Sequence, residues 1–195
     1  MRYLTILFAL AGFIYSCSDA RKPTYVITGK GDTVTVAKQD TLPPPEPDSA
    51  GLFTKINTGS TTPEQLLSFA HTLKGIPYKY ASIDPTQGFD CSGFITYVFN
   101  HFKIAVPRRS VDFTYINHTV DLNYAKTGDL ILFTGTDSTV REVGHMGIVI
   151  KSPGKELTFI HSTSGKADGV TETPFNSYYQ GRYVKTVRIF PQNDK

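Results

Sequence analysis

A thiol at the start of a helix is ionised more readily than a free one, because the unpaired N–H groups and dipole of the first turn favour negative charge. Cys91 stands at such a place. Phe94, Ile95, Val98, Phe99 and Phe102 follow it at helical spacing, one apolar face beginning just after Asp90. The same first-turn N–H groups, that of Cys91 among them, can accept the oxyanion of a carbonyl under attack. Asp90 opposes ionisation of the sulfur, so a cationic imidazole is expected to hold the thiolate. The plainer reading of a lone cysteine is a small buried hydrophobe. Here the neighbours Asp90, Ser92 and Gly93 are polar or small, which favours a reactive thiol.

Five histidines compete to be the base. His71 and His101 fall within helical patterns and His118 in a polar stretch, positions that suit solvated or packed rings. His145 stands in Gly144-His145-Met146-Gly147-Ile148-Val149, where glycines leave room for another backbone or a substrate. His161 ends the apolar run Leu157-Thr158-Phe159-Ile160. If these two segments are neighbouring antiparallel strands, both rings can face one cleft. His145 is then the base and His161 the group that orients it. A structural histidine remains the alternative at either position.

The elements that must position these groups are legible in outline. Thr62-Pro63-Glu64-Gln65 combines a capping hydroxyl, a proline at the first helical position and a glutamine three residues after the cap. Leu66, Leu67, Phe69, Ala70 and Leu73 supply the stripe of that helix before Gly75 stops it, and the cysteine helix follows. Beyond about residue 120 the pattern becomes strand-like, at Asp129–Thr134, Gly144–Lys151, Leu157–Ser162 and Arg182–Phe190. Helices followed by closely spaced strands predict an α+β domain, its helices packed on an antiparallel sheet, over residues 61–195. Residues 18–60, with Pro43, Pro44, Pro45 and Pro47, read as a stiff tether, within which Tyr25–Thr28 and Thr33–Val36 can pair as a hairpin.

Residues 1–17 read as an address. Arg2 precedes an apolar run, Leu4–Tyr15, that is shorter than the roughly 20 residues a membrane span needs. The run leads into Ser16-Cys17, a small residue before a cysteine. This resembles a bacterial lipobox, and implies a lipid anchor at Cys17, on an outer membrane facing the periplasm; an ordinary secretory signal is the alternative. Either reading means export. With Cys17 acylated, Cys91 has no disulfide partner, and an unpaired thiol in an oxidising compartment calls for a catalytic reason. The formal charge of +3 spreads along the chain without the basic cluster that nucleic acid demands. No close C-x₂-C pair supports a metal site, and no cofactor is expected.

The ordered set Pro77-Tyr78-Lys79-Tyr80, Gly88-Phe89-Asp90-Cys91-Ser92-Gly93-Phe94, Val106-Pro107-Arg108-Arg109-Ser110, Gly128-Asp129-Leu130, Gly144-His145-Met146-Gly147-Ile148 and Phe159-Ile160-His161-Ser162 resembles the NlpC-type cysteine peptidases that cut cell-wall peptides in bacteria. The resemblance runs from Thr62 to Phe190, about two-thirds of the chain. It implies a papain-like α+β fold and a catalytic set of Cys91, His145 and His161. It further implies that Tyr78 lines the catalytic centre and that Asp90, Ser92 and Arg108 lie beside substrate, Arg108 facing a peptide carboxylate or holding a salt bridge. The substrate it implies is a peptidoglycan stem peptide, cut between γ-D-glutamyl and the diamino acid. Ala81-Ser82 stands where the family often has Gly-Gly, Phe113 where it often has Gln, and Thr127 where it has Pro.

Two other classes stay open at this level. Related papain-like enzymes use similar Cys-His sites for amidase or lipid acyl-transfer chemistry. A cell-wall binding protein with a retired site, or one holding metal through Cys91, His145 and His161, is the other.

Overall fold

The computed structural model describes residues 53–151 and 156–195, with the backbone of two short strands, β1 (Thr24–Ile27) and β2 (Thr33–Val36). These two pair antiparallel, Val26 opposite Val34, as the hairpin reading expected. The address segment, Cys17 and the remainder of the 18–52 stretch lie outside the described residues.

Helix α1 (Pro63–Thr72) begins with the reciprocal cap its sequence specifies. Gln65 N–H donates to Thr62 Oγ1 at 3.3 Å, and Thr62 N–H to Gln65 Oε1 at 2.9 Å. Leu66, Leu67, Ala70 and Leu73 are buried. The packed body starts ahead of the boundary expected at 61: Ile56 and Thr58 are buried, and Asn117 N–H donates to the Thr54 carbonyl at 3.0 Å. A short hairpin of β3 (Ile83–Asp84) and β4 (Gly88–Phe89) leads into α2 (Cys91–His101). Phe94, Ile95, Val98 and Phe99, on the predicted stripe, have no exposed surface.

Six strands form the sheet: β5 (Thr119–Val120), β6 (Leu130–Thr134), β7 (Val143–Lys151), β8 (Thr158–Thr163), β9 (Gly169–Pro174) and β10 (Tyr183–Val187). Their order is β5-β10-β6-β7-β8-β9, and every pairing is antiparallel. Four of the six fall on the predicted strand segments. The additional strand β9 and helix α3 (Ser177–Arg182) come from a polar stretch that carries little apolar periodicity.

The strand period of two sorts the sheet into faces. Leu130, Leu132, Met146, Ile148 and Ile160 pack with α1 and α2 in the main core. Ile131, Phe133, Val149 and Phe159 face the other way and are covered by Tyr179 of α3, with Phe175 and Tyr183 beside it. Asp129, fully buried, is held by Arg188 through Nη2 at 3.1 Å, which gives the Gly128-Asp129 motif a structural part beneath β6.

Candidate active site

Asp90 starts α2 by accepting the N–H of Gly93 on its side chain. The preceding backbone is pinned on both sides: Asp90 N–H donates to the Ser82 carbonyl at 3.1 Å, and Ser162 Oγ to the Phe89 carbonyl at 2.8 Å. Ser162 is the neighbour of His161 on β8, so one bond sets the start of the cysteine helix against the histidine strand. Gly93 is required because a Cβ there would collide with the Ser82 carbonyl oxygen. With Gly93 N–H spent on the cap, the N–H groups of Cys91 and Ser92 are the first-turn donors directed at the sulfur.

The sulfur sits at the end of β7. The thiol donates to the carbonyl oxygen of Gly144, 3.7 Å away, and Gly144 immediately precedes His145. Register shifts at this point, Phe133 pairing with His145 but Thr134 with Val143, so Gly144 is the extra residue of a bulge. A Cβ on it would come within 2.9 Å of Gly135 N.

His145 lies on the sheet face that carries Phe133 and Tyr179, and its Nε2 is 2.7 Å from Nδ1 of His161. The register explains the meeting. β7 and β8 pair Ile148 with Ile160, and one further step sets Gly147 opposite His161. Having no side chain, Gly147 leaves the space through which His161 leans to its diagonal neighbour. His161 is fully buried, and its Nε2 lies 2.9 Å from Thr173 Oγ1 on β9. Nδ1 is the nitrogen of His145 left for the cleft.

Cys91, His145 and Tyr78 line one cleft of about 700 Å³, together with Thr163, Lys166, Thr173, Tyr178 and Arg182. The structure thus brings Cys91, His145 and Tyr78 to one cleft, with His161 behind His145. Asp90, Ser92 and Arg108 are not on the cleft wall. Their polar groups bind one another: Arg108 donates to Asp90 Oδ2 at 2.6 Å and to Ser92 Oγ at 3.0 Å, so of its two readings, a peptide carboxylate or a salt bridge, the guanidinium makes the salt bridge, at the helix cap. Thr173, Tyr179 and Arg182 were not singled out in the sequence. They come from β9 and α3, the two elements with the weakest pattern.

The resting site is neutral where the sequence suggested an ion pair. Burial, and then the Asp90 carboxylate, push the Cys91 thiol up to about 11, against the opposing pull of the first-turn N–H groups and Arg108. Burial, the second ring and the Arg182 guanidinium hold His145 well below the ordinary imidazole range. His161 is brought down to about 3 by burial and Arg182. Tyr78 is raised by burial and by the nearby Cys91 and Asp90.

A cysteine at a helix N-terminus, meeting a histidine strand of an antiparallel sheet, defines a papain-like α+β domain. The chain matches the NlpC/P60 family over residues 75–188, more than half its length, and it belongs to that family. It is similar to the gamma-DL-glutamyl hydrolase of Bacillus subtilis, with 34% identity over 135 residues, 69% of this chain and 32% of the relative. It is also similar to the probable peptidoglycan endopeptidase LytE of the same organism, with 37% identity over 126 residues, 64% of this chain and 34% of the relative. The chain thus spans about a third of the length of each. A crystal structure of an NlpC/P60 family protein from Bacillus cereus superposes with a TM-score of 0.60 at 28% identity, covering 69% of this chain and 42% of that one.

Proposed function

We propose that this chain is a cysteine endopeptidase that hydrolyses peptidoglycan stem peptides at the bond between γ-D-glutamyl and the diamino acid. The observation that carries the reading is the single cleft in which Cys91 Sγ, at the first residue of α2, shares a wall with His145, whose far nitrogen is occupied by His161. Two relatives named for glutamyl hydrolysis and for peptidoglycan endopeptidase activity support the choice of substrate.

With both partners neutral at rest, proton transfer accompanies attack. His145 Nδ1 takes the thiol proton as Sγ bonds to the carbonyl carbon. The oxyanion is met by the first-turn N–H groups of α2 and by the Tyr78 hydroxyl. The proton passes from His145 to the leaving amine as the C–N bond breaks, leaving a thioester. Water then gives a proton to His145 and its oxygen to the acyl carbon, and sulfur leaves and regains the proton. Purified muropeptides incubated with wild type and with Cys91→Ala test this. Loss of product with the variant is expected, and equal product from both removes Cys91 from the mechanism. Release of intact stem peptide from the sugar would instead favour an amidase.

We also propose export and a lipid anchor at Cys17, on an outer membrane facing the periplasm. The apolar run ending in Ser16-Cys17 supports this. Cys17→Ala protein is expected to leave the membrane fraction, and its retention there would end the anchor reading.

A further inference from the structure

His145, His161 and Thr173 form one straight diagonal across three neighbouring strands. His161 is paired with Thr171 on β9, and the β7 register sets Gly147 opposite it on the other side. His145 lies two residues before Gly147 and Thr173 two residues after Thr171. Because β7 and β9 run in the same direction, the two displacements continue one line. The line is bonded throughout: His145 Nε2 to His161 Nδ1 at 2.7 Å, and His161 Nε2 to Thr173 Oγ1 at 2.9 Å.

We propose that Thr173 is a positioning residue for the reaction: its hydroxyl oxygen accepts the Nε2–H of His161 and so fixes both rings in the tautomer that leaves Nδ1 of His145 unprotonated toward the cleft. This inference rests on the endopeptidase reading for its kinetic part. A neutral imidazole carries one ring proton. For His145 to take the thiol proton on Nδ1, its own proton must sit on Nε2 and be donated to His161 Nδ1. The proton of His161 is then on Nε2, buried, and needs an acceptor. Among the described residues no carboxylate lines the cleft. The titratable and charged side chains around the rings and on the cleft wall are Cys91 from α2, Tyr178, Tyr179 and Arg182 from α3, Lys166 between β8 and β9, and Tyr78; Thr173 Oγ1 is the atom within hydrogen-bond reach of His161 Nε2. The reverse polarity puts a proton on His145 Nδ1 and disables it as a base. Thr173 itself is half-buried and touches the cleft, so its own O–H can turn to solvent while the oxygen accepts.

Thr173→Val keeps the shape and removes the acceptor; Thr173→Ser restores it. Long-range proton–nitrogen spectra of ¹⁵N-histidine-labelled full-length protein near pH 7 read the tautomers directly. Both rings should carry their proton on Nε2 in wild type and in Thr173→Ser, and His161 should depart from that state in Thr173→Val. On muropeptides, Thr173→Val should lower kcat about tenfold or more, the scale of one hydrogen bond to a ring that becomes charged, with KM little changed. The acid limb of its pH profile should move to lower pH, because the imidazolium has lost its support. Thr173→Ser should recover the rate. A wild-type His145 protonated on Nδ1, or a Thr173→Val protein with unchanged tautomers and unchanged kcat, would overturn the assignment. The spectra need no substrate, so failure to cut muropeptides would count against the endopeptidase reading and not against the tautomer.

Discussion

Gly147→Ala is a one-methyl change that presses on the spacing of the two rings while leaving both histidines in place. An added Cβ would lie 2.6 Å from Phe159 Cδ2, 2.9 Å from the Ile160 carbonyl oxygen and 3.2 Å from His161 Cβ. Ordinary carbon–carbon contact is about 3.5–4.0 Å, so the shortfall is about 1 Å. Phe159 cannot swing away, because its ring is fully buried between Phe133 at 5.1 Å and Tyr179 at 4.9 Å. The Ile160 carbonyl is backbone. The strain therefore falls on the β7–β8 spacing and on the 2.7 Å contact between the rings. Overpacking of this kind costs about 1–3 kcal/mol, and a displacement of about 1 Å at an orienting group costs about a hundredfold in rate. Urea unfolding gives the first quantity as a lowered midpoint at constant slope, and muropeptide turnover gives the second. Gly181→Ala is the control, since a Cβ there meets nothing within 4 Å. A Gly147→Ala protein that is destabilised but keeps wild-type kcat would refute the argument that His161 must be held close to His145.

Two further outcomes follow from the neutral resting site. With the Cys91 thiol near 11, about one molecule in ten thousand is thiolate at pH 7, so iodoacetamide labelling of Cys17→Ser protein should accelerate about tenfold per pH unit from 7 to 10; a rate flat across neutral pH would mean an ion pair and contradict the burial argument. His161 is depressed in the folded state from 6.5 to about 3, so its share of stability is present above pH 6.5 and is lost on acidification. Between pH 6.5 and 5 that share is about 2 kcal/mol, and urea midpoints should fall more steeply for wild type than for His161→Gln; parallel pH dependences would show that the ring is not buried neutral.

The parts of the site legible in the sequence are those written in local pattern. The thiol's place was readable because the helix cap, the polar start and the apolar stripe of α2 all lie within a dozen residues of Cys91. The strands bearing His145 and His161 were readable from apolar runs, and glycines beside His145 announced close approach. Gly147 clears the way for His161, and Gly144 makes room for the backbone of Gly135. What remained hidden depends on register or on a partner distant in the chain. Nothing near Arg108 reveals that Asp90 and Ser92 will occupy its guanidinium. Strand β9 alternates threonines with a glutamate, and α3 is a short helix of 6 residues capped by Asn176, so neither carries an apolar signal. Ala81 marks a different limit: it holds φ at +57° where the family often has glycine, so the left-handed turn before β3 survives the substitution. The turn persists because Ser82 N–H and its carbonyl are both tied, to Lys79 and to Asp90. Residue type at a turn is thus a weaker guide than the hydrogen bonds that close it. The same holds at the active site, where it is the diagonal register across β7, β8 and β9, rather than any motif, that makes two histidines and a threonine into one bonded line.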